Sequence, residues 1–354
     1  MRRILPGPHL PAFVISLIIA VFGALFVASY SIAMGDPHAH AVPIGVVGDA
    51  SDKERLRGAI DAATGARFEA VDVDSRDAAV EAIGQQRLYG ALLMGEDHAE
   101  LLISSASGAS MARIIGQDTT AIEASLGTRL TVLDLHPLSQ KDPAGLVLFY
   151  MALASTIIGF VGAIQTRVNA GGLTLAGELG WDATRAVLAG LLISVTVGPA
   201  LGLERFPVLW VWAVLAATMF IVGAVYSIFR ILFGNSWGLL PTWVLFVLIS
   251  NPSSGGVVAP ELLPSFYEFM GRWLPTGATV RALRDLTYFP DAIHAEPYLV
   301  LGCWLLGAPI LFVLLRRRRF GTGPSRAPNR ERSTTNPESA GTPDTGNPDA
   351  TEAR

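Results

Sequence analysis

NPSSGGVVAPELLP, residues 251–264, directly follows the apolar run Leu239–Ile249 and interrupts it with a proline, two serines and two glycines. Pro252 removes a backbone donor and biases Asn251 away from helix, while Gly255 and Gly256 make the next turn permissive. The uninterrupted stretch from Gly238 to Ser250 gives about 20 Å of helix at about 1.5 Å per residue, short of a hydrocarbon core of roughly 30 Å. Two readings stay open: a kinked helix that continues to about Val258, or a helix that stops at depth. Lipid cannot satisfy freed backbone amides, so both turn NPSSGG toward the protein interior.

The rest of the chain makes a membrane the relevant solvent. Its 354 residues are 51% hydrophobic and 16% charged, with a mean hydropathy of +0.44. Apolar runs at 12–34, 145–165, 186–203, 208–233, 238–258 and 298–315 predict six transmembrane helices. The first outruns a secretory h-region and is expected to remain as a signal-anchor. Basic flanks retained in the cytoplasm orient the chain. With the N-terminus inside, Arg2, Arg3, Arg167, Arg185, Arg230 and Arg316 to Arg319 lie in the cytoplasm, against Lys141, Arg205, Arg272, Arg281 and Arg284 outside. Both termini are therefore expected in the cytoplasm and residues 35–144 outside the cell membrane. Trp210, Trp212, Trp237, Trp243, Tyr30 and Tyr298 fall near run ends, as interfacial anchors do.

Residues 35–144 alternate β-branched runs with charged helical patterns. AVPIGVVGD (41–49), RFEAVDVD (67–74), LYGALLMG (88–95), AELLISSASG (99–108) and TRLTVLDL (128–135) read as strands. The helical patterns begin at Ser51, which with Glu54 fits a capping box, at Ser75 as N-cap, and at Ala109. A small extracytoplasmic α/β domain is predicted. It carries 17 acids against 9 bases, scattered rather than clustered, as on an ordinary solvated surface. His38, His40 and Asp36 lack a third ligand, so no metal is assigned. The predicted units are 1–34 (N-terminus and first helix), 35–144 (α/β domain), 145–318 (five-helix membrane domain, with outer re-entrant segments at 256–297) and 319–354 (a disordered cytoplasmic tail). The run at 316–319 fixes the last span as a stop-transfer signal, with attraction to anionic lipid as a compatible second role.

Chemistry-bearing motifs are few. Lys53 and Lys141, the only lysines, sit in SDKER and SQKDP, so no Gly-Lys-Ser/Thr phosphate loop exists. Nor is there a GxSxG elbow or an HExxH pair, which argues against an enzyme, including one acting on lipid. The lone Cys303 cannot form a disulfide within the chain. No cofactor and no nucleic-acid partner is expected. The predicted spans contain essentially no charged side chains, which weakens a proton-coupled pump. The loop QTRVNAGGLTLAGELGWDATR (165–185) offers Leu173, Leu175, Leu179 and Trp181 as a docking surface for a cytoplasmic ATPase, or as an interfacial connector. After the break, ELLPSFYEFMGRWLP and GATVRALRDLTYFP read as short interfacial or re-entrant helices. Leu262, Phe266, Phe269, Met270 and Trp273 lie on the apolar side of the first; Glu268, Arg272, Arg281, Arg284 and Asp285 give the pair a polar face.

SSGG (253–256), then PELLP (260–264), LP (274–275) and RALR (281–284) resemble the C-terminal membrane half of the ABC-2 type permease superfamily, in its phage-infection-protein and nitrosoguanidine-resistance-like branches. The first span followed by IGVVGDA (44–50) is similar to their N-terminal arrangement. The resemblance implies six helices in a one-plus-five arrangement, homodimers, and export of small hydrophobic or amphipathic molecules driven by a separate ATPase. Asn251, Pro252, Ser253, Ser254, Gly255 and Gly256 would form a hinge or gate, with Pro260 and Pro264 setting the re-entrant path. The sequence departs from long-loop members in its compact outer domain. On the hinge reading, leucine at Gly255 and Gly256 abolishes function but leaves folding intact. The alternative is a membrane receptor or assembly factor that binds a partner through the outer domain; deleting 41–138 is expected to separate the two.

Overall fold

A computed structural model describes residues 9–35, 42–64, 67–95, 98–202, 206–235 and 237–324. Arg2, Arg3, Asp36, His38, His40, Arg205 and the tail beyond 324 lie outside the described residues.

The alternating pattern between residues 42 and 134 becomes a mixed sheet. Strands β1 (Val42–Val47), β2 (Phe68–Val73), β3 (Gly90–Met94), β4 (Ala99–Ile103) and β5 (Leu130–Asp134) lie in the order β2-β1-β3-β4-β5. β1 pairs in parallel with β2 and β3, β4 pairs in parallel with β5, and β3–β4 is antiparallel. Helices α2 (Ala50–Thr64) and α4 (Ala109–Leu126) cover one face through Leu56, Ile60, Met111 and Ile115; α3 (Arg76–Gly84) covers the other through Ala79 and Ile83. Ser75 caps α3 as expected, accepting from Ala78 N–H at 3.1 Å. The Ser51–Glu54 box does not form. α2 starts two residues earlier, where the Asp49 carboxylate accepts from both Asp52 N–H and the Ser51 hydroxyl at 2.8 Å. An aspartate there also favours the positive end of the helix.

Among the described residues, five helices are long and apolar enough to cross a membrane: α1 (His9–Met34), α5 (Val147–Asn169), α6 (Leu175–Leu201), α7 (Val208–Phe233) and α11 (Ala295–Phe320). The expected sixth does not have that length. α8 is an α-helix over Leu239–Trp243 that continues as a π-helix over Val244–Ser250, about 18 Å in all if every residue rose 1.5 Å. It then stops, which settles the kinked-or-broken alternative in favour of a break. The chain turns through 251–258, makes a 3₁₀ turn at Pro260–Leu262, and forms α9 (Ser265–Trp273) and α10 (Pro275–Tyr288).

α9 and α10 differ from each other. In α9 the apolar side read from the spacing faces outward, with Phe266, Phe269 and Trp273 exposed and Tyr267 and Gly271 buried. α10 is not interfacial: it is buried along most of its length against α5, α7 and α11. Its threonines explain how a polar helix is tolerated there. Thr276 takes the Ser250 hydroxyl at 2.8 Å, and Thr279 shares a hydrogen bond with Thr218 of α7 at 2.7 Å.

The α/β unit and the membrane unit share apolar packing. Val258, Ala259, Leu262 and Leu263, just after the break, and Ala33 at the end of α1 belong to the same buried cluster as Leu56, Leu92 and Met111. Deleting 41–138 therefore uncovers the segment that follows the break and cannot cleanly separate an exporter from a receptor. The last helix also runs past its expected end at 315, through all four arginines to Phe320, so the expected tail begins after a helical stretch.

Candidate functional site at the helix break

The break is built from the backbone outward. In an α-helix, residue 252 would donate to the carbonyl of Leu248, but Pro252 cannot. The Ser29 hydroxyl of α1 supplies that carbonyl instead, at 2.5 Å, and the Tyr267 hydroxyl of α9 sits 3.0 Å from Ser29 Oγ. Asn251 N–H reaches Phe246 O at 3.0 Å, the i–5 pattern of the π segment. Gly255 adopts φ +71°, the left-handed region that glycine tolerates, and Arg284 of α10 donates to its carbonyl at 2.9 Å.

The side chains are less well supplied than the backbone. Asn251, Pro252, Ser253 and Ser254 are buried, as the helix-length reasoning requires. The Ser253 and Ser254 hydroxyls and the Asn251 amide have no hydrogen-bond partner among the described residues, although the amide faces the Tyr30 hydroxyl. Buried polar atoms are normally paired, so unpaired ones this concentrated point to a place where something else binds or water enters.

Ser253 in fact lines a cleft. A cavity of about 480 Å³ is bounded by Ser253, Pro260, Glu268, Arg272, Arg281 and Glu296. A second, of about 220 Å³, shares Pro260, Arg281 and Glu296 and extends to Tyr89, Glu261, Arg284, Asp285 and His294. The predicted polar face of Glu268, Arg272, Arg281, Arg284 and Asp285 is thus divided between two adjoining cavities that share Arg281. Arg281 is held by the carbonyls of Gly271 (3.0 Å) and Arg272 (2.8 Å) and by Glu296 (3.2 Å). Asp285 is buried and accepts from His294 N–H at 3.0 Å.

The α/β unit closes this cleft with residues that no local sequence signal marks. Tyr89 donates to Glu261 at 2.5 Å, Gln86 to Asp285 at 2.8 Å, and Ala259 N–H to Ser110 Oγ at 3.0 Å. His294 Nε2 lies 3.1 Å from the carbonyl of Gln85. Burial, and then the neighbouring Glu261 carboxylate, push the Tyr89 phenol well above its ordinary range, so it stays a donor. The lining mixes acids and bases in similar number, which suits polar or amphipathic molecules rather than strong selection of one charge.

The hinge variants need revision. A Cβ on Gly256 would lie 2.8 Å from Phe149 Cβ, and one on Gly255 3.0 Å from Pro260 Cγ on a backbone already at positive φ. Leucine at these positions would disturb packing and cannot report on hinge motion alone. Pro260 opens the 3₁₀ turn, and Pro264 immediately precedes α9.

The expected ATPase-docking loop is largely helix. α6 begins at Leu175, capped by Thr174, whose hydroxyl accepts from Gly177 N–H at 3.1 Å. Leu175 is buried and Leu179 packs against the helical core, while Trp181 is exposed. The same helical register buries Glu178 and Asp182, which the sequence places in a solvated loop. Arg167 makes a two-pronged contact with Asp182 (3.0 and 2.6 Å), Arg185 reaches it at 2.8 Å, and Arg230 reaches Glu178 at 2.9 Å. Arg316 lies 3.8 Å from Glu178. The run 186–203 is free of charged side chains, as read from the sequence, but α6 begins eleven residues earlier at Leu175, and in that added stretch four arginines converge on two carboxylates at the bundle end opposite the α/β unit. The signal was available in Glu178 and Asp182 at i and i+4, had the helix been extended backward from the apolar run.

No protein-family model, curated protein or solved structure matches the chain.

Proposed function

We propose that this protein is the transmembrane subunit of an exporter of small hydrophobic or amphipathic molecules, working in the manner of ABC-2 type permeases. On this reading two copies pair in a cell membrane, both termini face the cytoplasm, and a separate ATPase drives the cycle. The observation that carries the proposal is Ser253: a buried hydroxyl without a partner, at a broken helix, on the wall of a cleft. Transporters commonly place broken helices at their substrate sites, because an interrupted backbone at depth is tolerated where it lines a cavity. Glu178 and Asp182 do not favour a proton-coupled pump, since each is held by arginines. Leu173, half-buried just before α6, and Trp181, exposed in its second turn, remain as the ATPase contact.

Replacing the single Cys303 by serine and adding Ser253→Cys gives a test. A membrane-impermeant maleimide should label Cys at 253 from the α/β side, and an amphipathic dye trapped in proteoliposomes with a co-purified ATPase should leave only when ATP is present. An inert thiol in every condition, with no ATPase in the mild-detergent preparation, would sink the reading. A receptor or assembly role has one observation in its favour: edge strand β5 leaves Val132 and Leu133 exposed, a strand edge open to a partner. Capture of a partner lost in Val132→Lys, without dye export by the parent protein, would select it.

A further inference from the structure

The ion-pair network at the far end of the bundle has a positive excess. Arg167, Arg185, Arg230 and Arg316 meet Glu178 and Asp182, and Arg319 joins them by donating to the carbonyl of Ile231. Four guanidinium groups thus face two carboxylates, and the exposed Arg319 adds a fifth positive charge beside them. Uncompensated buried charge is costly, so an excess of this size implies solvent or a counter-ion.

A place for one exists. Between the ends of α7 and α11 lies a cavity of about 710 Å³ whose lining includes Arg230, Ile231, Asn235, Arg316, Arg319 and Phe320, and no acidic residue lines it among the described residues. Its volume falls in the usual range for ligand pockets, roughly 300–1,000 Å³. Arg316 is fixed by carbonyls of Gly321 (3.0 Å) and Gly323 (3.1 Å), and Arg230 Nε is buried with no hydrogen-bond partner among the described residues. Arg316 and Arg319 flank the Phe320 ring at 5.4 and 5.8 Å from its centroid, which holds both guanidinium groups in place.

We propose that this cavity is a binding site for an anionic phosphate group. Planar guanidinium forks held by packing can donate paired hydrogen bonds to phosphate oxygens, which a halide cannot accept, and the Asn235 amide adds a neutral donor. Two sources share this chemistry: the headgroup of an anionic phospholipid and a soluble phosphate. The cavity opens where two apolar helices end beside exposed Leu232 and Phe233, the depth at which a lipid headgroup sits. The site differs from general attraction to the basic run, because Arg317 and Arg318 take no part in the lining.

That difference supplies the test. The full chain would be reconstituted in phosphatidylcholine nanodiscs doped with phosphatidylglycerol, and retained lipid counted by native mass spectrometry. In a second arm, delipidated protein in detergent would be titrated with inorganic phosphate while its Tm is followed. Arg319→Gln and Arg230→Gln should lower occupancy about tenfold, whereas Arg318→Gln, which removes the same formal charge, should change it less than twofold. Arg319→Gln must keep the parent Tm without ligand, so that loss of binding is not loss of fold. Retention of phosphatidylglycerol supports the site with lipid as its source; a saturable rise in Tm with phosphate alone supports it with a soluble source. Equal losses in Arg318→Gln and Arg319→Gln, or no binding in either arm, overturn it.

Discussion

Gly271 shows how far a single hydrogen atom can matter in this protein. A Cβ built there would overlap the carbonyl oxygen of Ser253, and one on Gly277 would overlap the carbonyl of Gly271. Backbone rather than flexible side chain occupies the space, so neither neighbour can yield cheaply. Gly271→Ala should cost at least the 1–3 kcal/mol typical of overpacking, seen as a lower Tm in detergent. Gly302→Ala, in the middle of α11 with nothing within 4 Å of its Cβ, is the matching control, expected to gain up to about 1 kcal/mol from helix propensity. His136 offers a second test at this scale. Its ring packs 4.8 Å from that of Phe289, and burial lowers its pKa below the ordinary 6.5, against a smaller raising effect of Asp134. The unfolded chain therefore binds the proton more readily than the folded one, and the imidazole takes stability away as pH falls below about 6.5. The fall in Tm between pH 7 and 5 should be smaller in His136→Gln than in the parent.

Helix α6 carries the prediction at the scale of an element. Its first two turns hold both buried carboxylates, and Asp182 answers two arginines at once. Asp182→Asn leaves Arg167, itself only 5% exposed in its side chain, without its closest counter-charge. Breaking one side of a buried pair costs about 3–5 kcal/mol, so the variant should be recovered in much lower yield and melt well below the parent. The same helix marks where sequence reading succeeds and where it stops. The apolar run of α6 was legible because lipid-facing side chains declare themselves one by one. Its polar start was not, since Glu178 is buried only by virtue of Arg230 and Arg316, residues 52 and 138 positions away. The strands and the cap at Ser75 are local consequences of β-branching and a hydroxyl and could be read directly, whereas Pro252 left both a kinked helix to 258 and a helix ending at Ser250 open. The second half of the cleft lining, Gln86 and Tyr89 against Asp285 and Glu261, is joined across 199 and 172 positions and has no local mark.

For the whole molecule, the α/β unit and the bundle act as one body at the cleft. Tyr89 and Ser110 hold the segment after the break at Glu261 and Ala259, and Gln86 reaches Asp285 of α10; from the bundle side Arg284 holds Gly255, while Ser29 and Thr276 hold the end of the π segment at Leu248 and Ser250. Any movement of the α/β unit therefore changes the opening, whichever of the two functional readings applies. The surface charges of that unit, such as the Arg76–Glu100 fork at 2.9 Å, contribute little to its stability in comparison.

The shared cluster of Val258, Ala259, Leu262 and Leu263 with Leu56, Leu92 and Met111 also sets an order of events during synthesis. Strands and helices of the α/β unit leave the ribosome first, yet part of their apolar surface has to wait until α5, α6, α7 and α8 have been made and inserted. During that interval the unit has secondary structure without its full core, the condition in which chains are most open to proteases and chaperones. Completion of the break is thus the step that covers this surface, and a chain truncated before residue 258 is expected to be cut faster by added protease than the full-length protein.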